Sequence, residues 1–480
     1  MISDWLAEII ATGLVLVYFA AIFSAVEAIL QARTSQGAIA WTISLLTFPV
    51  VSLPLYLIFG RNRFDGYLEK RDQVEHESLR LIQRTRSNIQ EYVVPVSSDT
   101  PLYTSLFNLA RMPATRGNKV DLLVDGAATF DSIRSGLEQA EHYILFQFYI
   151  IRDDELSRQL GRILADKARA GLTVYLLYDE IGSRQFQRSR LCRQLQMSGV
   201  QVAPFNTTQG RRRNRFQLNF RNHRKVVVVD GKHAWIGGHN VGDEYLGKNK
   251  RIGHWRDTHT RFQGPAVLGA EQAFATDWLW ATGEHLHIDW DLNSRSEGDS
   301  TVLVFPSDPA SEYEEAGLMF HQAIVAARQR IWIASPYFVP DRGIVAALQL
   351  AALRGVDVRI MIPDEPDGPV VAMANWSFTK ELLAVGVKVY RYQGGFLHQK
   401  VLLMDDQLAG VGTANFDNRS FRLNFEITLL VHDIFFAREV ESMLETDLGR
   451  CRQVGLEEFS SKPAWFPVAM ATARLFAPVL

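Results

Sequence analysis

The sequence predicts an α/β protein made of two duplicated halves that form a pseudo-dimer with one site between them, preceded by an N-terminal transmembrane helical hairpin. Three observations lead to this fold class. A motif of His, Lys and Asp occurs twice, the same alternation of strands and helices precedes each copy, and the N-terminal region contains two long apolar segments. A chain of 480 residues is long enough for two halves with their own cores and for additional segments.

The repeated motif reads His-x-Lys-x4-Asp, and six residues separate each Asp from a Gly-x-x-Asn. The motif residues are His223, Lys225, Asp230 and Asn240 in the first copy and His398, Lys400, Asp405 and Asn415 in the second. The residues after each Lys are apolar and end in Asp-Gly or Asp-Asp, which is typical of a buried strand that closes in a turn. Residues two apart on a strand share a face, so each His is expected to point the same way as its Lys.

These groups suit phosphoryl transfer. A neutral imidazole can attack phosphorus, and a second, protonated imidazole can donate to the leaving alcohol. The lysines and the amides of Asn240 and Asn415 can stabilise charge on the phosphate oxygens. Asp230 and Asp405 complete the predicted catalytic set, in which we expect them to hold turn backbone or Lys geometry and not to attack. We expect no metal and no cofactor, because a cation beside each imidazole repels a divalent ion and no carboxylate cluster offers oxygen ligands.

The elements before each motif also repeat. Apolar segments begin at Tyr143, Gly171 and Gly199 in the first half and at Arg330, Gly355 and Gly386 in the second. Amphipathic helices lie between them, so each half is predicted to contain a mixed sheet with helices outside. We place the first half at 119–295, the second at 296–455 and a charged connector at 63–118.

Two features distinguish the regions around the motifs. An extra segment at 206–217 in the first half contains Arg211, Arg212, Arg213 and Arg215. It can gather an anionic substrate or an anionic membrane surface, and a solvated loop without a role is the alternative. After each motif a carboxylate begins a predicted strand, and Asp257 and Glu426 are therefore candidates for orienting a catalytic His through Nδ1–H.

The N-terminal region at 1–62 is predicted to be a hairpin of two transmembrane helices at about 6–30 and 37–60. Pro49 and Pro54 are expected to bend the second helix. The connector contains Arg33 alone, whereas several basic residues follow the second helix, so the positive-inside rule places the rest of the chain in the cytoplasm. A cleaved signal peptide fits badly, because no basic residue precedes the apolar region, and a core helix is the other alternative.

The remaining composition adds three expectations. The segment 456–480 has Trp465 and Phe466 beside Lys462, ahead of a short apolar helix; we expect an amphipathic tail at the membrane interface, with docking onto the protein core as the alternative. Cys192 and Cys451 are expected to be free thiols, as in a cytoplasmic compartment. A net charge of −2 argues against nucleic acid as a partner.

The two motifs resemble those of the phospholipase D superfamily, and the whole layout resembles the two-spanning bacterial cardiolipin synthase family. The resemblance also rests on Leu55 to Asn62, Trp255 to Thr258, Phe262 to Pro265, Ser335 to Asp341 and Gly412 to Ser420. Gly238 departs from the superfamily, which often has Ser at this position.

The resemblance implies a membrane enzyme of the bacterial inner membrane that converts two phosphatidylglycerols into cardiolipin and glycerol through a phosphatidyl-histidine. It implies that His223 is the nucleophile and His398 the general acid and base, with the reverse assignment left open, and it hints at homo-oligomers. A hydrolase that releases phosphatidic acid is the first alternative. A nuclease is disfavoured by the hairpin and the charge, and a catalytically silent membrane scaffold is the alternative from a different class. Phosphatidylethanolamine stays open as a donor.

Overall fold

The computed structural model of the protein describes residues 2–32, 34–60, 64, 67, 91–95, 101–205, 219–288, 290 and 296–479. The four arginines predicted to gather anions, and most of the connector, therefore lie outside the described residues.

One mixed sheet runs through both halves. Its strands, with the short strands beside it, are β1 (Thr115–Val124), β2 (Tyr143–Phe148), β3 (Thr173–Asp179), β4 (Gln201–Phe205), β5 (Arg221–Asn222), β6 (Val226–Val229), β7 (His233–Gly237), β8 (Trp255–Arg256), β9 (Thr258–Gln263), β10 (Ser300–Ser307), β11 (Arg330–Ala334), β12 (Phe338–Val339), β13 (Asp357–Pro363), β14 (Lys388–Tyr392), β15 (Phe396–Leu397), β16 (Val401–Met404), β17 (Leu408–Gly412), β18 (Phe416–Asp417), β19 (Asn424–His432) and β20 (Cys451–Gln453). The strand order is β20-β14-β13-β11-β16-β17-β19-β10-β1-β9-β7-β6-β2-β3-β4. Every residue of β6 and β16 is buried, which explains their unbroken apolar sequence, since helices cover both faces of the sheet.

Helices surround this sheet. Those of the two halves are Pro101–Ala110, Asp125–Gln139, Glu155–Arg169, Arg184–Gln187, Arg190–Met197, Val267–Thr282, Glu315–Ala326, Arg342–Leu353, Pro369–Leu383, Asn418–Arg422 and Ile434–Leu448, and Glu457–Ser460 and Phe466–Leu475 follow in the tail. Asp154 caps the helix Glu155–Arg169, because its side chain accepts a hydrogen bond from the backbone of Ser157. This helix buries a row of leucines against the sheet.

The sheet confirms the predicted duplication. β1 and β10 pair antiparallel at its centre, and on either side the strands follow one order, β9-β7-β6-β2-β3-β4 in the first half and β19-β17-β16-β11-β13-β14 in the second. In the first half β2 and β3 are parallel neighbours, and the motif strand β6 is antiparallel to β2. In the second half β11 and β13 are parallel neighbours, and the motif strand β16 is antiparallel to β11. β1 begins at Thr115, within the region that the sequence assigned to the connector.

Two short strand pairs cross between the halves. β5 of the first half pairs in parallel with β19 of the second, and β15 of the second half pairs in parallel with β8 of the first. Each crossing strand immediately precedes a motif His, so the fold brings each imidazole to a strand of the opposite half.

The N-terminal region differs in part from the predicted hairpin. The first helix, Ile2–Gln31, is long and apolar enough to cross a membrane and exposes most of its large apolar side chains. The second segment is divided into Ser35–Thr47, Pro49–Leu55 and a π-helical turn at Tyr56–Gly60, so the interruption expected at Pro49 is a full break of the helix. The division falls at Phe48, which leaves helical geometry (φ −130°, ψ 56°) directly before Pro49.

Candidate active site

The crossing strands fix the backbone at both motif histidines. His223 N donates to the carbonyl of Phe425 at 2.9 Å, and His398 N donates to the carbonyl of Arg256 at 2.8 Å. Both acceptors belong to the opposite half. The two imidazoles are therefore held at the junction of the halves, where both line one cavity of about 1040 Å³.

A carboxylate from the opposite half contacts each imidazole. His223 Nδ1 lies 2.9 Å from Glu426 Oε2, and His398 Nδ1 lies 2.7 Å from Asp257 Oδ2. These are the contacts that the sequence analysis expects for Asp257 and Glu426, although each carboxylate serves the His of the other half. A carboxylate that accepts from Nδ1–H leaves the lone pair on Nε2, which is the nitrogen a nucleophile or base needs.

Both imidazoles are neutral at pH 7. Burial lowers the pKa of His223 to about 4, against the opposing effect of Glu426. Burial, followed by the charge of Lys400, lowers the pKa of His398 to about 3. A neutral ring retains its lone pair, so either imidazole can attack phosphorus in the free protein.

The two lysines are buried beside the imidazoles. Lys225 Nζ donates to the carbonyl of His223 at 2.7 Å and lies 5.4 Å from the centre of the Tyr149 ring. Lys400 Nζ contacts His398 at its carbonyl and, at 2.9 Å, at Nδ1. Burial lowers the pKa of Lys225 well below its usual value and that of Lys400 to about 8. A phosphate anion bound between them favours their charged forms.

The two motif asparagines also line the cavity. Asn240 Oδ1 accepts from the backbone of Ile150 at 3.1 Å, which orients its amide. The backbone of Asn415 donates to Ser420 Oγ at 3.0 Å, and its Oδ1 is buried without a partner among the described residues. Both amides thus lie at the cavity that the two imidazoles share.

The motif aspartates lie at the turns that end the motif strands, where they hold backbone, which is one of the two roles expected for them. Their inclusion in the catalytic set is corrected. Asp230 accepts from the backbone of three residues at the start of β2, and Asp405 does the same at the start of β11. Both have positive φ, 54° and 50°, in the turns that end the motif strands. At ~3.3 Å per residue, five residues place each aspartate roughly 16 Å beyond its Lys. They hold turn backbone and do not contact the lysines.

Sequence reasoning missed several cavity residues. Tyr149 and Tyr337 follow equivalent strands of the two halves, and the ring of Tyr149 lies 5.0 Å from that of His223. Trp255 lies 5.0 Å from the ring of His398. The available signal for the two tyrosines was their similar place, six residues after Tyr143 and seven residues after Arg330, at the ends of repeated strands. Gly238 also has a local reason, because a Cβ there would lie 2.0 Å from Asp257 Oδ1.

The pH dependence of stability should report the buried imidazoles. Because their pKa values are about 4 and 3 in the folded protein and about 6.5 when unfolded, the unfolded chain binds more protons between these limits. The resulting stability is fully present above about pH 6.5 and is lost as the pH falls towards 4 and 3. We expect the midpoint of urea unfolding to fall less over this range in a His223→Gln/His398→Gln double variant than in the wild type. An equal fall of the unfolding midpoint with pH in the variant and the wild type would contradict this expectation.

Comparisons with known proteins agree with the duplicated fold. Residues 133–278 and 320–448 match the family described as cardiolipin synthase, PLD-like domain, and residues 19–61 match the phospholipase D-nuclease N-terminal family. The chain is 45% identical to cardiolipin synthase A of Pseudomonas fluorescens over 97% of both chains, and 44% identical to that of Pseudomonas syringae over 95% of both. It is also similar in structure to phosphatidylserine synthase of Haemophilus influenzae, with 16% identity, a TM-score of 0.58 and coverage of 79% of this chain and 100% of the other. This last likeness shows the fold alone.

Proposed function

The chain belongs to the cardiolipin synthase family with phospholipase D-like domains, and we propose that it transfers a phosphatidyl group between two phosphatidylglycerols, giving cardiolipin and glycerol. It is a phosphatidyltransferase whose relatives are named cardiolipin synthase A. The observation that carries the proposed chemistry is the pair of neutral imidazoles, each held through Nδ1 by a carboxylate of the opposite half and both lining one cavity.

In the first step of the proposed reaction, His223 Nε2 attacks the phosphorus of the donor lipid. The N–P bond forms, the P–O bond to the headgroup glycerol breaks, and glycerol leaves with a proton from His398. His398 is neutral in the free protein, and the negative charge of the bound phosphodiester favours its protonation. In the second step His398 accepts the proton of a hydroxyl of the second lipid, whose oxygen forms the new P–O bond as the N–P bond breaks.

The surrounding groups suit both steps. Lys225 and Lys400, with the amides of Asn240 and Asn415, stabilise charge on the non-bridging phosphate oxygens. Glu426 and Asp257 act as positioning residues, since each keeps one imidazole in the tautomer that presents Nε2 and stabilises the cation formed on it. Asp230 and Asp405 contribute only through the turns.

Product analysis with defined lipids tests this function. Purified protein in detergent with phosphatidylglycerol and EDTA should form cardiolipin and glycerol in equal amounts. Phosphatidic acid as the main product would favour the hydrolase, and no product from folded protein would favour the scaffold. Repeating the assay with acyl-labelled phosphatidylethanolamine and unlabelled phosphatidylglycerol tests the second donor, because label enters cardiolipin only if phosphatidylethanolamine donates its phosphatidyl group.

We also propose that both N-terminal segments cross the membrane and place the two halves in the cytoplasm. The exposed apolar side chains of Ile2–Gln31 suit contact with lipid, and Ser35 to Gly60 is long enough to span despite its division. Met197, 81% exposed on the first half, offers a test. A cysteine at that position, in a variant without native cysteines, should react with an impermeant thiol reagent in inverted vesicles and not in intact spheroplasts. The reverse pattern would contradict this orientation.

The C-terminal helix supports a second membrane contact. Phe466, Met470 and Ala473 pack against the second half, where Arg474 pairs with Glu381 at 2.8 Å. Its outer side exposes Trp465 (60%), Val468 (67%) and Leu475 (79%) without an outward charge. The alternatives of docking and membrane contact are therefore compatible, since one side docks and the other suits the interface.

A Val468→Glu/Leu475→Glu variant should lose roughly tenfold in cardiolipin formation on vesicles of phosphatidylglycerol, because charges replace two apolar contacts. Its rate with monomeric short-chain phosphatidylglycerol should stay within about twofold of the wild type. Met197→Glu is the matched control for an exposed charge. Equal losses with both substrates would instead indicate a defect of folding, and equal activity on vesicles would exclude the contact.

A further inference from the structure

The two halves are equivalent in fold, but their cavity walls differ in charge. Three pairs of equivalent positions line the cavity: the residue two before the motif His, the residue four after the motif Asn, and the residue two before the orienting carboxylate. Beside His223 these are Arg221, Arg419 and Asn424; beside His398 they are Phe396, Glu244 and Trp255. At these three positions the side beside His223 has two cations and an amide, and the side beside His398 has two aromatic rings and one carboxylate.

The cationic side is built by residues of both halves. Arg419 donates from Nη1 and Nη2 to Asn219, at 3.1 Å to the amide oxygen and 2.8 Å to the carbonyl, which places its guanidinium next to the strand that carries Arg221. Arg221 donates to the carbonyl of Phe220 and contacts the hydroxyl of Tyr149. Within the described ranges, Arg419 has no carboxylate in ion-pair contact. The two cations repel, and this repulsion together with burial lowers the pKa of Arg419.

Two carboxylates face these arginines, and both are committed to backbone. Asp179 accepts from the backbone of Ile181, Gly182 and Asn222, and Asp417 accepts from that of Ser420. Burial raises the pKa of both side chains, that of Asp417 to about 6. They offset part of the positive charge without occupying the face that the arginines present to the cavity.

The opposite side is suited to an uncharged group. The rings of Trp255 and Phe396 lie 4.9 Å apart and both border His398. Glu244 is paired with Arg152 at 2.9 Å, so its charge is neutralised within the wall. Aromatic faces beside paired polar groups suit a polyol such as glycerol better than an anion.

We propose that Arg221 and Arg419 form a second anion subsite, which holds the phosphodiester of the acceptor lipid while the transferred phosphate lies between the imidazoles. This inference rests on the proposed function. Transfer brings two phosphodiesters into one cavity, and the lysines and asparagines of the motifs serve only the reacting one. Paired guanidiniums bind a phosphodiester through charge-assisted hydrogen bonds. The bound anion also reduces the repulsion between the two cations, which stabilises the complex.

The two acceptors that the phosphatidyl-enzyme can use separate this subsite from the catalytic machinery. Cardiolipin formation needs an acceptor with its own phosphate, whereas exchange of labelled glycerol into phosphatidylglycerol needs none. In Arg221→Gln and Arg419→Gln, cardiolipin formation should fall by about 10- to 100-fold, with KM for the acceptor raised, because each change removes charge-assisted hydrogen bonds. Glycerol exchange should stay within about threefold of the wild type. Arg419→Lys should recover part of the loss, since it restores the charge.

Arg162→Gln is the matched control, an exposed arginine on the helix Glu155–Arg169 and not among the residues that line the cavity, and it should leave the ratio of the two rates unchanged. If both reactions fall equally in the Arg419 variants, the arginine serves the reacting phosphate or the fold and the subsite is excluded. If neither falls, no acceptor phosphate binds there. Failure of the proposed function is distinguishable, because it would abolish cardiolipin formation and exchange in the wild type.

Discussion

Replacing either His223 or His398 with alanine is expected to abolish cardiolipin formation, with a loss of about 10³-fold or more. The covalent route needs one imidazole to attack and a second to move the proton, and residues that act as a unit are each indispensable. Both rings line the same cavity and both are neutral, so neither replacement leaves a complete pair. The measurement is the initial rate of cardiolipin formation from phosphatidylglycerol in detergent.

His142→Ala is the matched control, because that side chain is exposed at the far end of the sheet, near the turn of Asp230, and it should retain wild-type activity. Mass spectrometry adds the assignment of roles. With a phosphatidyl donor whose leaving group needs no proton, such as a nitrophenyl ester, His398→Ala should still form an adduct on the peptide that contains His223, and the adduct should persist because no base activates the acceptor. No adduct should form in His223→Ala. An adduct on His398 would reverse the two roles, and near wild-type activity in either variant would contradict a shared site.

Arg224→Met is expected to lower the free energy of unfolding by about 3–5 kcal/mol, because it leaves a buried carboxylate without its cation. Arg224 is the residue between His223 and Lys225 in the first motif, and its side chain is fully buried. Its guanidinium donates to Asp277 at 2.8 Å, and across the junction to the carbonyls of Glu426 and Ser307 at 3.0 Å each. It therefore joins the motif strand to both halves. Urea unfolding in detergent, followed by tryptophan fluorescence, measures the change.

The partner replacement completes a double-mutant cycle. Asp277→Asn alone should also destabilise, and Arg224→Met/Asp277→Asn should recover part of the loss because no uncompensated charge remains. Arg134→Ala is the control, since the side chains of its ion pair with Asp131 are 50% and 72% exposed. Loss of this pair should lower the free energy of unfolding by less than about 0.5 kcal/mol. Additive effects of the two buried replacements would show that the pair is not coupled.

The local elements and the chemistry were readable from the chain because they depend on neighbours in sequence. The valines after Lys225 predict a buried strand, and the second copy after Lys400 predicts a second strand of the same kind. Apolar runs, turn residues and two-residue periodicity express local preferences, and the repeat made them specific. The expected contacts between imidazoles and carboxylates followed from the same strand positions.

Long-range packing decided the remainder. Which carboxylate meets which imidazole depends on the crossing pairs β5–β19 and β15–β8. No local pattern encodes strand pairing between residues that are 203 and 141 positions apart in sequence. Asp230 and Asp405 read as parts of a catalytic motif, yet strand length carries them to the opposite edge, where they bind backbone. The difference in charge between the two cavity walls likewise emerges only when the arginines of separate halves are brought to one surface.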